Sequence, residues 1–186
     1  RGQLDDTLET WKWRSFPPVD PHLDTCWTCL QLLASGVTTT MHNHVPVTPA
    51  AFEEEHDQAI SAYLEAGMRV QFNPGVRNSN PFVYGDNEGF LKSLPENLQQ
   101  MLTAPPPKGA LTGENFVEAV NHLHAASNSD MTRIGFGPLA PQWCTDDLLL
   151  AIREAAQKLG VPIHVHAVQS IFQKVYGLEY LGKTLI

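Results

Sequence analysis

"MTRIGFGPLAPQWCTDDLLLAIREAAQKLGVPIHVHAV", residues 131–168, decides how this chain folds. Its last eight residues are a short run rich in β-branched side chains, and its first eight, with Ile134 and Phe136, read as another strand. Between them lies "CTDDLLLAIREAAQKLG", amphipathic at helical spacing, with acids in its first turn and Gly160 as a stop. Strand, helix and strand in that order form a βαβ unit, because parallel neighbours require a crossover connection.

The same grammar repeats upstream. "PHLDT" offers Asp24 as the N-cap of a helix over "CWTCLQLLA" that stops at "SG", and the β-branched run of "GVTTTMHNHV" predicts a strand. "TPAAFEEEHDQAISAYLEAG" follows as a helix, with Thr48 as cap, Pro49 at its first position and Gly67 as its end. "MRVQFNPGV" predicts a second strand closing in a turn at Asn73 and Pro74, and residues 113–127 predict another amphipathic helix. Between them, Arg77 to Gly113 is a long excursion holding a short helical piece around Phe90 to Leu102. Such a length inside one domain marks a functional loop. Four strand–helix steps give a parallel α/β architecture, either a doubly wound sheet or a stretch of a (β/α)₈ barrel.

Composition narrows the function. A chain of 186 residues with 42% hydrophobic and 17% charged side chains reads as one globular domain, residues 1–186. A net charge of -8 argues against a phosphate-neutralising surface, so we expect a small-molecule substrate and no nucleic acid. No apolar run approaches about 18 residues, so no membrane partner is expected. Three cysteines cannot form a framework of paired bridges and predict a reducing, cytoplasmic setting. Cys26 and Cys29 form "CWTC", which we read as helix packing because no thioredoxin-like order of elements surrounds it. No glycine-rich phosphate cradle follows any strand. The start at Arg1 without Met and the apolar ending "LGKTLI" lead us to expect a fragment of a longer protein.

The strand ends collect polar side chains: His42 and His44, Arg77 and Asn78, Gln142 and Trp143, then His164, His166 and Gln169. Chemistry belongs at those ends in both folds. Alternate strand residues share a face, so an HxH pair can aim two imidazoles at one ion; core histidines bound to backbone carbonyls are the plain alternative.

"GVTTT" after "LLASG", then "AGMRV", then residues 135–177 resemble the amidohydrolase superfamily, in the branch of cytosine, guanine and adenosine-type deaminases and chlorohydrolases. The likeness covers almost the whole chain. It implies a partial (β/α)₈ TIM barrel, about strands 2 to 5 with their helices, and one divalent metal, zinc ahead of iron, that activates water against a C–N bond. It makes His166 the fifth-strand metal ligand, and the opening "RGQLDDTLETWKW" the segment after a first-strand HxH that this chain lacks. His42 and His44 then fall on strand two, as pocket-lining substrate contacts rather than ligands. His164 lies deeper on the strand of His166.

Gln169 departs from the pattern, which has a proton-shuttling Glu at that position. A carboxamide exchanges no proton near neutral pH. Three readings stay open: Gln169 orients substrate while another group serves as base; the leaving group is a halide that needs no proton; or the barrel is a catalytically inactive binding module. Gln142 and Trp143 suit a flat substrate, offering an amide and a stacking surface, and Tyr84 sits with Phe82 and Asp86 at the tip of the long excursion. Gln173 and Tyr176 fall near the pocket mouth or cap the following helix. We expect a homo-oligomer in the full-length protein, and an isolated chain that is aggregation-prone or dimeric and catalytically inert, because half a barrel leaves strand edges unpaired.

Overall fold

The computed structural model describes residues 19–103, 105–106 and 108–185; the opening segment "RGQLDDTLETWKW" lies outside them. Helix α1 spans Pro21–Ala34, strand β1 Thr39–His44, helix α2 Phe52–Ala66 and strand β2 Arg69–Val76. Two short helices, α3 (Asn87–Lys92) and α4 (Glu96–Leu102), occupy the excursion, followed by α5 (Phe116–Ser127). β3 (Thr132–Ile134) and β4 (Gly137–Pro138) are two paired stretches of one extended run, after which come α6 (Asp146–Leu159) and α7 (Ile171–Tyr180).

Every strand pairing is parallel. β1 pairs with β2 from Thr39↔Arg69 to His44↔Pro74, and β2 pairs with β3 and then β4 on its other side. One face of the sheet is covered by helices: Val70, Phe72, Ile134 and Phe136 pack there with Ile60 and Tyr63 of α2, Phe116 of α5 and Ile152 of α6. Burying this apolar layer is what orders the sheet, since each large side chain removed from water contributes roughly 1.5–3 kcal/mol. The opposite face, which we call the open face, carries Asn43, Gln71 and Asn73.

Local chemistry explains the boundaries. α1 begins earlier than the sequence suggests: Asp20, not Asp24, is the cap, its carboxylate accepting from Leu23 N at 2.9 Å, with Pro21 at the first position. Pro49 opens a short 3-10 turn, Pro49–Ala51, that leads into α2, but the Thr48 side chain makes no capping bond. Instead Glu55 accepts from Val47 N and Thr48 N at 2.8 and 2.6 Å. Gly67 and Gly160 close α2 and α6 in the left-handed region, φ 69° and 67°.

Three expectations are corrected. β2 runs through Asn73 and Pro74 to Val76, because Gly75 and Val76 find a second ladder on β4. The excursion holds two helices rather than one, parted by Ser93–Pro95, where proline ends α-helical backbone in the residue before it. "VPIHVHAV" is extended but is not a full strand. Only Ile163 forms a bridge, to Phe136, and the run is held by Phe136 N to Pro162 O at 3.1 Å, His164 N to Phe136 O at 2.8 Å and His166 N to Leu139 O at 3.3 Å. Among the described residues no strand pairs along its far side, so it lacks the second ladder that regularises an interior strand.

The "CWTC" cysteines lie inside α1 and remain free thiols, as the packing reading expected. Desolvation pushes the Cys26 and Cys29 thiols up, opposite to what a redox pair needs. No helix among the described residues is long and apolar enough to cross a membrane.

Candidate active site

Register assigns the faces. Paired residues of neighbouring strands share a face, and faces alternate along each strand. His42 pairs with Phe72, which pairs with Ile134. His42 and His44 therefore belong to the helix face. Ile163 bridges Phe136 on that same face, so His164 and His166 point to the open face.

The two histidine pairs accordingly live in different surroundings. His42 Nδ1 lies 3.2 Å from the Tyr63 hydroxyl, and the His44 ring stacks on Phe72 at 5.5 Å and meets His56 edge-on at 5.2 Å. Burial lowers the His42 and His44 imidazoles to about 4, and lowers His56 to about 3. The buried Glu55 carboxylate is 3.7 Å from His44 Nε2, yet both its oxygens already serve backbone N–H groups, so desolvation wins and the imidazoles stay neutral. The expectation that His42 and His44 touch substrate is corrected: they fill the layer between sheet and helix.

On the open face, His164 and His166 lie ring to ring at 5.5 Å, and His166 Nδ1 sits 3.0 Å from the Leu139 carbonyl. A donated Nδ1–H there leaves Nε2 as a lone pair directed away from the backbone. That is the arrangement a metal-ligating histidine adopts. Beside it, Asn73 Nδ2 donates to Asn43 Oδ1 at 3.1 Å, and Gln71 Nε2 donates to Asn73 Oδ1 at 3.0 Å. Gly135 makes room for this polar ladder, since a Cβ there would meet Asn73 Oδ1 at 2.5 Å.

Gln169 follows a bend in the chain. Val168 takes φ 53°, a left-handed conformation that a β-branched residue adopts only under constraint. Gln173, fully buried, accepts from Gln169 N at 2.8 Å and donates its Nε2 to Gln169 Oε1 at 3.3 Å. The Gln169 carbonyl oxygen is thus occupied, and its amide NH₂ is the end left to face a ligand. Ser170 and Gln173 have the spacing of a capping box at the start of α7, a sequence signal that identifies Gln173 as a support residue.

Tyr84, Gln142 and Trp143 come together. Gln142 Nε2 donates to the Tyr84 hydroxyl at 3.3 Å, and the Tyr84 ring lies 6.3 Å from Trp143 and 5.5 Å from Tyr176 of α7. Gln142 Oε1 and Trp143 Nε1 are sealed from solvent with no hydrogen-bond partner. Asn80 ties this group together, donating to Gln142 O at 2.6 Å and to the Tyr176 hydroxyl at 3.1 Å. Leu139, whose carbonyl holds His166, is three residues ahead of Gln142 on the same loop. A cavity of about 290 Å³ beside this turn, lined by Pro141, Cys144, Thr145 and Tyr176, contains neither His166 nor Gln169. The open-face asparagines and Asn80 were not anticipated from sequence; the polar residues between the hydrophobic positions of β2 were the available signal.

No family model matches the chain. In sequence it is 25% identical over 154 residues to a 5-methylthioadenosine/S-adenosylhomocysteine deaminase of Desulfitobacterium hafniense, covering 83% of this chain and 27% of that protein. It is 22% identical to an 8-oxoguanine deaminase of Pseudomonas aeruginosa, over 91% of this chain and 34% of that protein. In structure, 97% of the chain superposes on 38% of the atrazine chlorohydrolase TrzN of Arthrobacter aurescens complexed with zinc, at TM-score 0.70 and 18% identity. The chain is thus similar in sequence to deaminases and in fold to a zinc-bound chlorohydrolase. Another solved structure, an adenosine deaminase from Xanthomonas campestris with bound zinc, matches 90% of this chain at TM-score 0.62, 16% identity and 31% coverage of that chain. The segment spans about a third of the length of the curated relatives it matches, 27% and 34% for the two deaminases above. Its parallel α/β sheet superposes on part of those larger folds.

Proposed function

We propose that the protein containing this segment is a metal-dependent hydrolase that cleaves a carbon–nitrogen bond of a small nitrogen heterocycle or related compound, with residues 1–186 supplying about strands 2 to 5 of its barrel. The observation that carries the reading is His166: its Nδ1 is held by the Leu139 carbonyl and its Nε2 is directed onto the open face. A divalent metal, zinc in our reading, held there by His166 and by ligands from outside residues 1–186, would lower the pKa of water and polarise the bond under attack.

The segment's own residues supply the rest. Gln169, its oxygen engaged by Gln173, presents an NH₂ donor that orients a ring nitrogen or carbonyl of the substrate. The Trp143 indole and the Tyr84 ring offer flat surfaces at the rim. His164, beside His166, fixes the ring next to it. Gln169 cannot carry a proton, so the acid–base function belongs to a group outside the segment.

Gln169 also favours a second reading, hydrolytic displacement of halide, in which the leaving group departs without protonation. The test is elemental analysis of the full-length protein with and without His166→Ala, followed by assay of paired aminated and halogenated heterocycles. Bound metal near one equivalent that falls sharply in the variant supports the hydrolase; metal-free protein in both forms overturns it. Release of ammonia or of halide then chooses between the two bonds.

A further inference from the structure

A second donor set lies where α1 packs on α2, on the helix side of the sheet. His22 and Cys26 are four residues apart on α1 and so project from successive turns of one helix face. Glu65, near the end of α2, reaches the same point. His22 Nε2 is 3.1 Å from Glu65 Oε2, and Cys26 Sγ is 3.9 Å from His22 Nδ1 and 4.0 Å from its Nε2. One ligand atom from each of the three residues falls within 4.8 Å of the other two. Ordinary zinc bond lengths at tetrahedral angles separate ligand atoms by about 3.3–3.6 Å, so small side-chain rotations close the shell. His22 and Glu65 side chains are 35% and 69% exposed, which leaves the point open to an ion from solvent.

We propose that His22, Cys26 and Glu65 form a binding site for a borderline-soft divalent cation of the zinc class, clipping α1 to α2 and leaving a fourth position to water. The donor set of nitrogen, sulfur and carboxylate oxygen selects such an ion over calcium or magnesium, which take oxygen ligands. Binding would release the Cys26 thiol proton to solvent as the thiolate joins the ion. With the ion bound, the Glu65 carboxylate becomes a ligand instead of a charge that disfavours thiolate. The clip would add stability between two helices that already pack together, in proportion to the free ion concentration.

The test uses the full-length protein, reduced and stripped of metal, titrated with Co²⁺ alone. Thiolate ligation produces a near-ultraviolet charge-transfer absorption, which histidine and carboxylate ligands do not. We expect that band to saturate at one ion per chain and to be displaced by Zn²⁺. It should disappear in Cys26→Ser, persist in His166→Ala, and show about tenfold or greater loss of affinity in His22→Ala and Glu65→Ala. Far-UV circular dichroism checks that each variant is folded, and Cys26→Ser, the most conservative, decides if another is not. Absence of the band in the unaltered protein, or its survival in Cys26→Ser, overturns the proposal. So does its loss in folded His166→Ala, because the band would then belong to the open-face centre.

Discussion

Two of the chain's HxH pairs lie on extended segments at opposite edges of the parallel array, and the sheet sends them to opposite sides. His42 and His44 face the helices, among Phe72, Tyr63 and His56, and are held neutral by burial. His164 and His166 face away from the helices, and His166 uses a backbone carbonyl to fix its ring. The motif is identical; the register is not. A spacing of two guarantees a shared face but leaves open which face, and a slip of one residue exchanges an open-face side chain for a packing residue.

Ways to break this contrast follow in order of effect. His166→Ala should reduce bound metal in the full-length protein and lower kcat/KM by about three orders of magnitude, the several kcal/mol a metal contributes to transition-state stabilisation. His44→Ala should leave metal content unchanged, and elemental analysis that finds metal lost from this variant as well would end the distinction between the pairs. Gln169→Glu restores a carboxyl at the bend, so turnover of aminated heterocycles should rise about a hundredfold and acquire a new pH-dependent limb, while halide release changes little. A pH–rate profile identical to that of the parent would remove Gln169 from the reaction.

Stability against pH tests the buried pair. The ordinary imidazole value is 6.5, whereas His42 and His44 titrate near 4 and His56 near 3 in the fold. Between those values the unfolded chain binds more protons, so stability rises with pH through the window and is lost as pH falls from about 6.5 toward 4. His44 alone accounts for on the order of 2–3 kcal/mol of this loss. Urea denaturation at several pH values measures it, and His56→Leu with His44→Phe should flatten the slope. The smallest effect belongs to Val168: Val168→Gly should relieve left-handed strain and raise stability by about 1 kcal/mol or less, with roughly a twofold loss of kcat as the bend between His166 and Gln169 loosens. A rise in melting temperature at unchanged kcat would make that strain incidental.

The strand–helix alternation was legible because caps, glycine stops and β-branched runs act within a few residues. The open-face histidines were legible for a related reason: Val161, Ile163 and Val165 alternate with His164 and His166, so the apolar set claims the helix side and leaves the imidazoles the other. "TTTMHNH" has no such alternation, and polar residues fill both faces. Its orientation is decided by pairing with Phe72, a contact made 30 positions away in the chain, beyond the reach of local pattern. Gln169 was legible as a departure, but its amide orientation depends on buried Gln173. The Tyr84–Gln142–Trp143 group required a loop to fold back across 58 residues of sequence.

That loop owes its shape largely to one side chain of its own. Asn87 accepts from Phe82 N and Val83 N, and donates to Val83 O, Gly85 O and Asn80 Oδ1. It is moored at two places: Asn78 exchanges hydrogen bonds with Thr145 at its base, and Asn80 and Tyr84 reach Gln142, Trp143 and Tyr176 farther along. A segment knotted internally and tied at its base is a module that selection can rewrite. Side chains of the loop other than those of Asn78, Asn80, Tyr84 and Asn87 carry none of these bonds, so substitutions there should reshape its surface while the sheet stays as it is.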